Sequence, residues 1–145
     1  MRALTIQALA LAAGLLPAMA HVHAEGPARV QPGQRVEVVL AFAHGCGADA
    51  TTGLAVALPA QIGDVTPEDV PGWTAVIEDG VLRWQGGIVP ADQPARFVLH
   101  ARLADDAQGQ ILLPTIQTCG GHELRWIDAD PASPTPAPRI EVARP

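Results

Sequence analysis

The chain has 145 residues, a formal net charge of −6, 48% hydrophobic residues, 3% aromatic residues, no tyrosine and no lysine. Its arginines are scattered singly, so it has no basic patch of the kind a DNA- or RNA-binding surface needs, and nucleic acid is excluded as a partner. Acidity of this size says more about solubility than about any ligand.

The chain opens on Arg2 and an apolar run from Ala3 to Leu16, interrupted only by Thr5 and Gln7. Pro17 follows, and Ala18-Met19-Ala20 sets small residues three and one before a cut. This is the pattern of a secretory leader, so residues 1–20 are expected to be removed and the chain to be periplasmic or secreted. A cut after Ala24 also satisfies the small-residue rule. The apolar run is shorter than the roughly 18–20 residues a membrane span requires, and no second one occurs near Pro145, so no membrane anchor is expected. Removal of 20 residues leaves 145 − 20 = 125, a length for one domain. It also takes Arg2, moving the charge from −6 to −7, and both methionines, Met1 and Met19. Cys46 and Cys119 are then the only sulfurs, and an even pair in an exported chain points to a disulfide.

Beyond the leader the pattern is of short strands and turns, with no helical period. Arg35 to Phe42 alternates Val36, Val38, Leu40 and Phe42, and Leu54 to Leu58 alternates Leu54, Val56 and Leu58. Trp73 to Ile77, the turn Glu78-Asp79-Gly80, and Val81 to Trp84 read as a hairpin, with Trp73 and Trp84 facing each other across it. Arg96 to Leu103 sets Phe97, Leu99, Ala101 and Leu103 on one side, and a solvated His100 on the other beside Arg102. Ile111 to Cys119, Glu123 to Ile127 and Arg139 to Val142 complete about seven strands. The last two are joined by a proline-rich segment, 131–138, expected as an extended surface connection because proline donates to no ladder. Together these predict a single all-β domain, an immunoglobulin-like antiparallel β-sandwich, with a barrel as the alternative.

Chemistry concentrates at the predicted new amino terminus, where the sequence reads His21-Val22-His23. A terminal histidine carries an amine and Nδ1 that can chelate one metal ion, and an unperturbed α-amine titrates near about 7.7–8.0, within reach of displacement by a Lewis-acidic ion. Nitrogen donors favour copper(II) among divalent ions, whereas copper(I) prefers sulfur, which this chain lacks once its cysteines are paired. His23 offers a second mode, in which the amine, two deprotonated amides and the third-position imidazole wrap a square-planar ion. That mode needs the Val22 and His23 amides and conflicts with pairing them into a sheet. If the terminus is extended, His21 and His23 share a face instead.

Several motifs occur together: His44-Gly45-Cys46-Gly47, Thr51-Thr52, Pro71-Gly72-Trp73, Trp84-Gln85-Gly86-Gly87, Gln117-Thr118-Cys119-Gly120-Gly121 and Trp126. In this order, across nearly the whole predicted mature chain, they resemble the YcnI-like family of exported copper-binding domains. The resemblance implies an immunoglobulin-like sandwich, a role in copper handling, and a Cu(II) site on the amino-terminal histidine with a tryptophan close by. His21 and Trp126 hold those positions. The family supplies an acidic side chain near the strand end that here reads Phe42-Ala43-His44-Gly45, where no carboxylate lies and Asp49 is the nearest. His44 is either a third nitrogen donor, since it shares parity with Val36 to Phe42, or a turn residue beside Cys46. His122, in a Gly-Gly loop, is a weaker candidate.

The implied function is a copper(II) carrier or buffer, with the copper ion and other copper-trafficking proteins as partners, working as a monomer or weak dimer. A copper-dependent oxidative enzyme and a metal-free interaction sandwich are the alternatives. The low aromatic content leaves little to stack on a sugar substrate, which disfavours the first of these.

Overall fold

Alternation of apolar and polar residues builds the two central strands. The computed structural model describes residues 21–144, and the leader predicted over 1–20 lies outside the described residues. In β2 (Arg35–Phe42) the residues Val36, Val38, Leu40 and Phe42 are buried, and in β7 (Ala95–Leu103) so are Phe97, Leu99, Ala101 and Leu103. The two strands pair antiparallel with Leu40 opposite Phe97, so both apolar rows point to the same side. They form the middle of a four-stranded sheet of order β1-β2-β7-β4, with β1 at His23–Glu25 and β4 at Ile62–Pro67. The opposing sheet has five strands in the order β10-β9-β3-β6-β5: His122–Trp126, Thr115–Cys119, Thr51–Ala57, Val81–Val89 and Thr74–Glu78. A two-stranded ladder of β8 (Gln110–Leu112) and β11 (Arg139–Glu141) closes one end.

Leu54, Val56, Leu82 and Trp84 of the five-stranded sheet join the β2 and β7 residues in one core. Phe97 is its aromatic centre, with ring centroids 6.1 Å from Phe42, 5.0 Å from Trp73 and 5.3 Å from Trp84. Such ring pairs add about 0.5–1.5 kcal/mol each beyond the area they bury. The architecture is therefore the expected antiparallel β-sandwich. The sheets do not close into a barrel, and no helix occurs among the described residues.

Several details depart from expectation. Among the described residues the strands number eleven rather than about seven. The expected strand 111–119 is broken, because Pro114 has no N–H for a ladder: Leu113 donates to the Pro138 carbonyl (2.7 Å), and the chain passes from β8, paired with β11, to β9, paired with β3. Trp73 and Trp84 do not face each other. Ala75 is the partner of Trp84, and Trp73 lies just before β5 and meets Phe97 edge-on. The β5–β6 turn itself is as expected, with Asp79 and Gly80 both at positive φ (50° and 72°), the conformation that suits a two-residue hairpin loop.

Cys46, in the turn after β2, is bonded to Cys119 at the end of β9, joining the two sheets across a sequence separation of 73. In the chain-entropy model a loop of that length is worth about 4 kcal/mol. Loss of the bond in a Cys46→Ser/Cys119→Ser variant, or its reduction, is expected to lower unfolding free energy by about 2–5 kcal/mol, read as a fall in denaturant midpoint. Gly87 is the second sensitive point, since a Cβ there would come within 2.2 Å of the Trp73 indole nitrogen. Gly87→Ala is expected to push Trp73 off Phe97 and cost about 1–3 kcal/mol, with a red-shifted tryptophan emission as its signature.

Candidate functional site

The amino-terminal segment is clamped rather than frayed. Val22 is buried with 1% of its surface exposed and belongs to the main core, while β1 pairs with β2 in the register His23 opposite Ala41 and Glu25 opposite Val39. A strand's period of two then turns His21 and His23 to the side opposite Val22. His21 is half-buried, and its Nε2 lies 3.0 Å from the Pro134 carbonyl oxygen. A carbonyl only accepts, so Nε2 carries the hydrogen and Nδ1, the ring nitrogen nearer the His21 backbone nitrogen, holds the lone pair. The same ring packs against Trp126 in a T-shaped arrangement, with centroids 5.4 Å apart and planes at 74°.

The carbonyl that orients His21 is itself held in place. Asp128 accepts hydrogen bonds from the hydroxyls of Ser133 and Thr135, the latter at 2.6 Å. The Ile127 and Asp128 amides both donate to the Thr135 carbonyl at 3.1 Å, and the Ala137 amide donates to the Asp128 carbonyl at 2.8 Å. The proline-rich segment is thus pinned back on the end of β10, and Pro134 presents its oxygen towards His21. Hydrogen bonds from Ser133 and Thr135 stabilise the ionised carboxylate and lower the Asp128 pKa below its usual value, outweighing a smaller desolvation effect.

Trp126 is held from the other side. It is 2% exposed, and its Nε1 donates to Gln117 Oε1 at 3.2 Å. Gln117 is fully buried and its Nε2 donates to Thr51 Oγ1 at 2.8 Å. Thr51 Oγ1 lies 3.7 Å from Cys119 Sγ, and because a disulfide sulfur carries no hydrogen, the hydroxyl is the donor. A continuous chain of polar contacts therefore leads from the ring beside His21 to the disulfide.

The other histidines divide. His23 is exposed, with Nε2 3.2 Å from Glu25 Oε1 and Nδ1 3.4 Å from the His21 carbonyl. Both are acceptors, and a neutral imidazole has a single N–H, so it donates in one of the two contacts at a time. Glu25 also takes a hydrogen bond from Arg96; desolvation raises its pKa, but the His23 and Arg96 contacts together outweigh this and the net shift is downward. His44 is half-buried just past the end of β2, with Nδ1 3.0 Å from the Gly45 carbonyl. The β1–β2 register carried back to position 21 meets position 43, which sets His44 one residue from the strand position opposite His21. His122 and Asp49 pair with each other at 3.5 Å. His122 begins β10 and Trp126 ends it, which separates them by roughly 13 Å at ~3.3 Å per residue. His100 reaches solvent on the outer face as expected, with its side chain 43% exposed, and is also bonded to Glu68 at 2.7 Å.

Three residues that build this site, Pro134, Asp128 and Gln117, were given no site role from the sequence, although Gln117 stands in a quoted motif and Pro134 in the proline-rich segment. The available signal for Gln117 was parity. In β9 the buried face reads Thr115, Gln117, Cys119 while Ile116 is only half-buried, an inversion of the usual alternation. Asp128→Asn is expected to loosen the 131–138 segment. A group whose folded pKa is depressed stabilises the fold above its unfolded pKa and loses that contribution as pH falls through the folded value. The melting temperature of the variant should therefore lie below that of the parent at pH 7, and the gap should close below about pH 3.8, the ordinary aspartate value.

Among the described residues no helix is long and apolar enough to cross a membrane. No curated protein is significantly similar to the chain. Residues 21–83 and 79–142 each match the model of a domain of unknown function, DUF1775, and together the matches run from 21 to 142 of 145 residues. The clamped segment at His21, the disulfide-linked sheets and the pinned proline-rich segment all fall within that span, and the chain belongs to the DUF1775 family.

Proposed function

We propose that the chain is an exported copper(II)-binding protein that holds the ion at His21, after cleavage behind Ala20 frees that residue's amine. The observation that carries this reading is the Pro134 contact: by taking the Nε2 hydrogen of His21, it leaves Nδ1 bare on the side of the backbone nitrogen. Amine and Nδ1 of one residue then form a bidentate nitrogen pair, the donor set that favours copper(II). Engagement of the second ring nitrogen by a backbone carbonyl is also how metal-binding histidines are commonly oriented and made more basic.

Trp126 packs against the His21 ring and would shield one side of such an ion from water. His44, placed next to the strand position opposite His21, is the side chain we assign as a further nitrogen donor. His23 is left to its Glu25 pair. The resemblance of the motifs to YcnI-like copper-binding domains supports the same reading. An open groove of about 310 Å³ lies beside the site, walled by alanine and proline with His21, Val22, His23, Ser133 and Arg139.

A chain beginning at His21 is expected to take up one copper(II) per molecule in a calorimetric titration. A chain with one alanine added before His21, and the His21→Ala variant, should bind on the order of 100-fold more weakly or worse. Affinity should fall as pH is lowered, because amine and imidazole must both be unprotonated to bind. Equal affinity in the extended chain would reject the amino-terminal chelate.

A further inference from the structure

The outer face of the four-stranded sheet carries a second group of donors, remote from His21. Glu37 lies directly opposite His100 across the β2–β7 ladder, and His100 lies opposite Thr66 across the β7–β4 ladder. Glu37 sits between buried Val36 and Val38, and His100 between buried Leu99 and Ala101, so both side chains leave the sheet on its outer side. Glu68 follows the last residue of β4. Its amide donates to the Val98 carbonyl at 2.9 Å, and its Oε1 lies 2.7 Å from His100 Nε2. One ligand atom from each of Glu37, Glu68 and His100 falls within 4.8 Å of the others, and among the described residues this is the only group of three or more histidine, cysteine or acidic side chains that converges so closely.

The charge balance of this group is incomplete. The neighbouring cations are engaged elsewhere: Arg35 pairs with Asp64 at 3.7 Å and Arg102 with Asp105 at 2.7 Å. The Glu37 carboxylate has no hydrogen-bond or ion-pair partner among the described residues, although it converges with a second carboxylate. A cation bound among these three side chains would be attracted by both carboxylates at once.

We propose that Glu37, Glu68 and His100 form a site for a divalent transition-metal ion of the zinc class. Two carboxylate oxygens and one imidazole nitrogen are zinc ligands, and three protein ligands leave a coordination position for water. The imidazole sets the site apart from magnesium and calcium sites, which are built from oxygen alone. The proposal stands apart from the copper reading. Glu37 is six residues along β2 from position 43, the position met by His21 in the extended register, which is roughly 20 Å of strand. The three ligands come from β2, from β7 and from just beyond β4, an edge strand whose pairing is irregular between Gly63 and Thr66. A bound ion would therefore tie that edge across β7 to β2.

The test uses the His21→Ala form of the chain beginning at residue 21, so that the amino-terminal chelate does not compete, and zinc(II) as the probe. One zinc(II) per chain is expected by calorimetry, with a rise in melting temperature as zinc increases. Glu37→Gln, which keeps the size of the side chain, and His100→Ala should each weaken binding by about 10-fold or more and abolish the zinc-dependent rise. A large excess of magnesium should not displace the ion. Zinc binding unchanged in both variants, or none up to about 1 mM, would overturn the site whatever the outcome with copper at His21.

Discussion

A single fully buried amide organises the interior near the candidate site. Gln117 is sealed within the sandwich, and an amide left without partners there would cost about 1–3 kcal/mol, so its two hydrogen bonds are close to obligatory. Trp126 donates to its oxygen and Thr51 accepts from its nitrogen. This polarity allows only one orientation of the amide, and it ties β9 to β10 on one side and to β3 on the other. Thr51 passes its own hydrogen to Cys119, so the chain of bonds ends on the covalent link between the sheets. The tryptophan that meets His21 is therefore positioned by contacts reaching back to the disulfide.

Around that anchor the amino terminus and the proline-rich segment are brought together by complementary needs. Prolines at 131, 134, 136 and 138 have no amide hydrogens, so much of the segment cannot donate to a ladder, but their carbonyls remain acceptors. Asp128 supplies the missing anchorage through the Ser133 and Thr135 hydroxyls, and one of the open carbonyls, that of Pro134, is met by His21. Burial of Val22 holds the other partner still. An imidazole with its tautomer set by a backbone oxygen is the physical basis for the copper reading, and it depends on the fold rather than on composition.

The same sandwich uses its outer surface differently. Regular pairing of β2 with β7 sets polar side chains into rows, and a row that holds Glu37 and His100 also receives Glu68 from beyond β4. The irregularity in β4, where Asp64 takes a φ of 50°, lets the strand rejoin the ladder at Thr66 and bring Glu68 over that row. Two distinct donor groups thus arise from one architecture, one at the start of the chain and one in the middle of a sheet face.

How far the sequence could be read followed the range of the forces involved. Alternation over eight or nine residues was enough for β2 and β7, and Asp79-Gly80 for the hairpin turn, because strand burial and turn geometry are local. The three-residue β1 is too short to alternate, β4 is masked by Gly63, Asp64 and Pro67, and Pro114 splits a run that otherwise looks continuous. The sequence by itself determined the β-rich character, the pair of cysteines and the histidine after the predicted leader. Only the tertiary structure decided which carbonyl meets that histidine 113 residues away, which amide holds Trp126, and which carboxylates surround His100. Those contacts join segments far apart in the chain, and their partners are chosen by sheet order and register, which no local pattern of residues encodes.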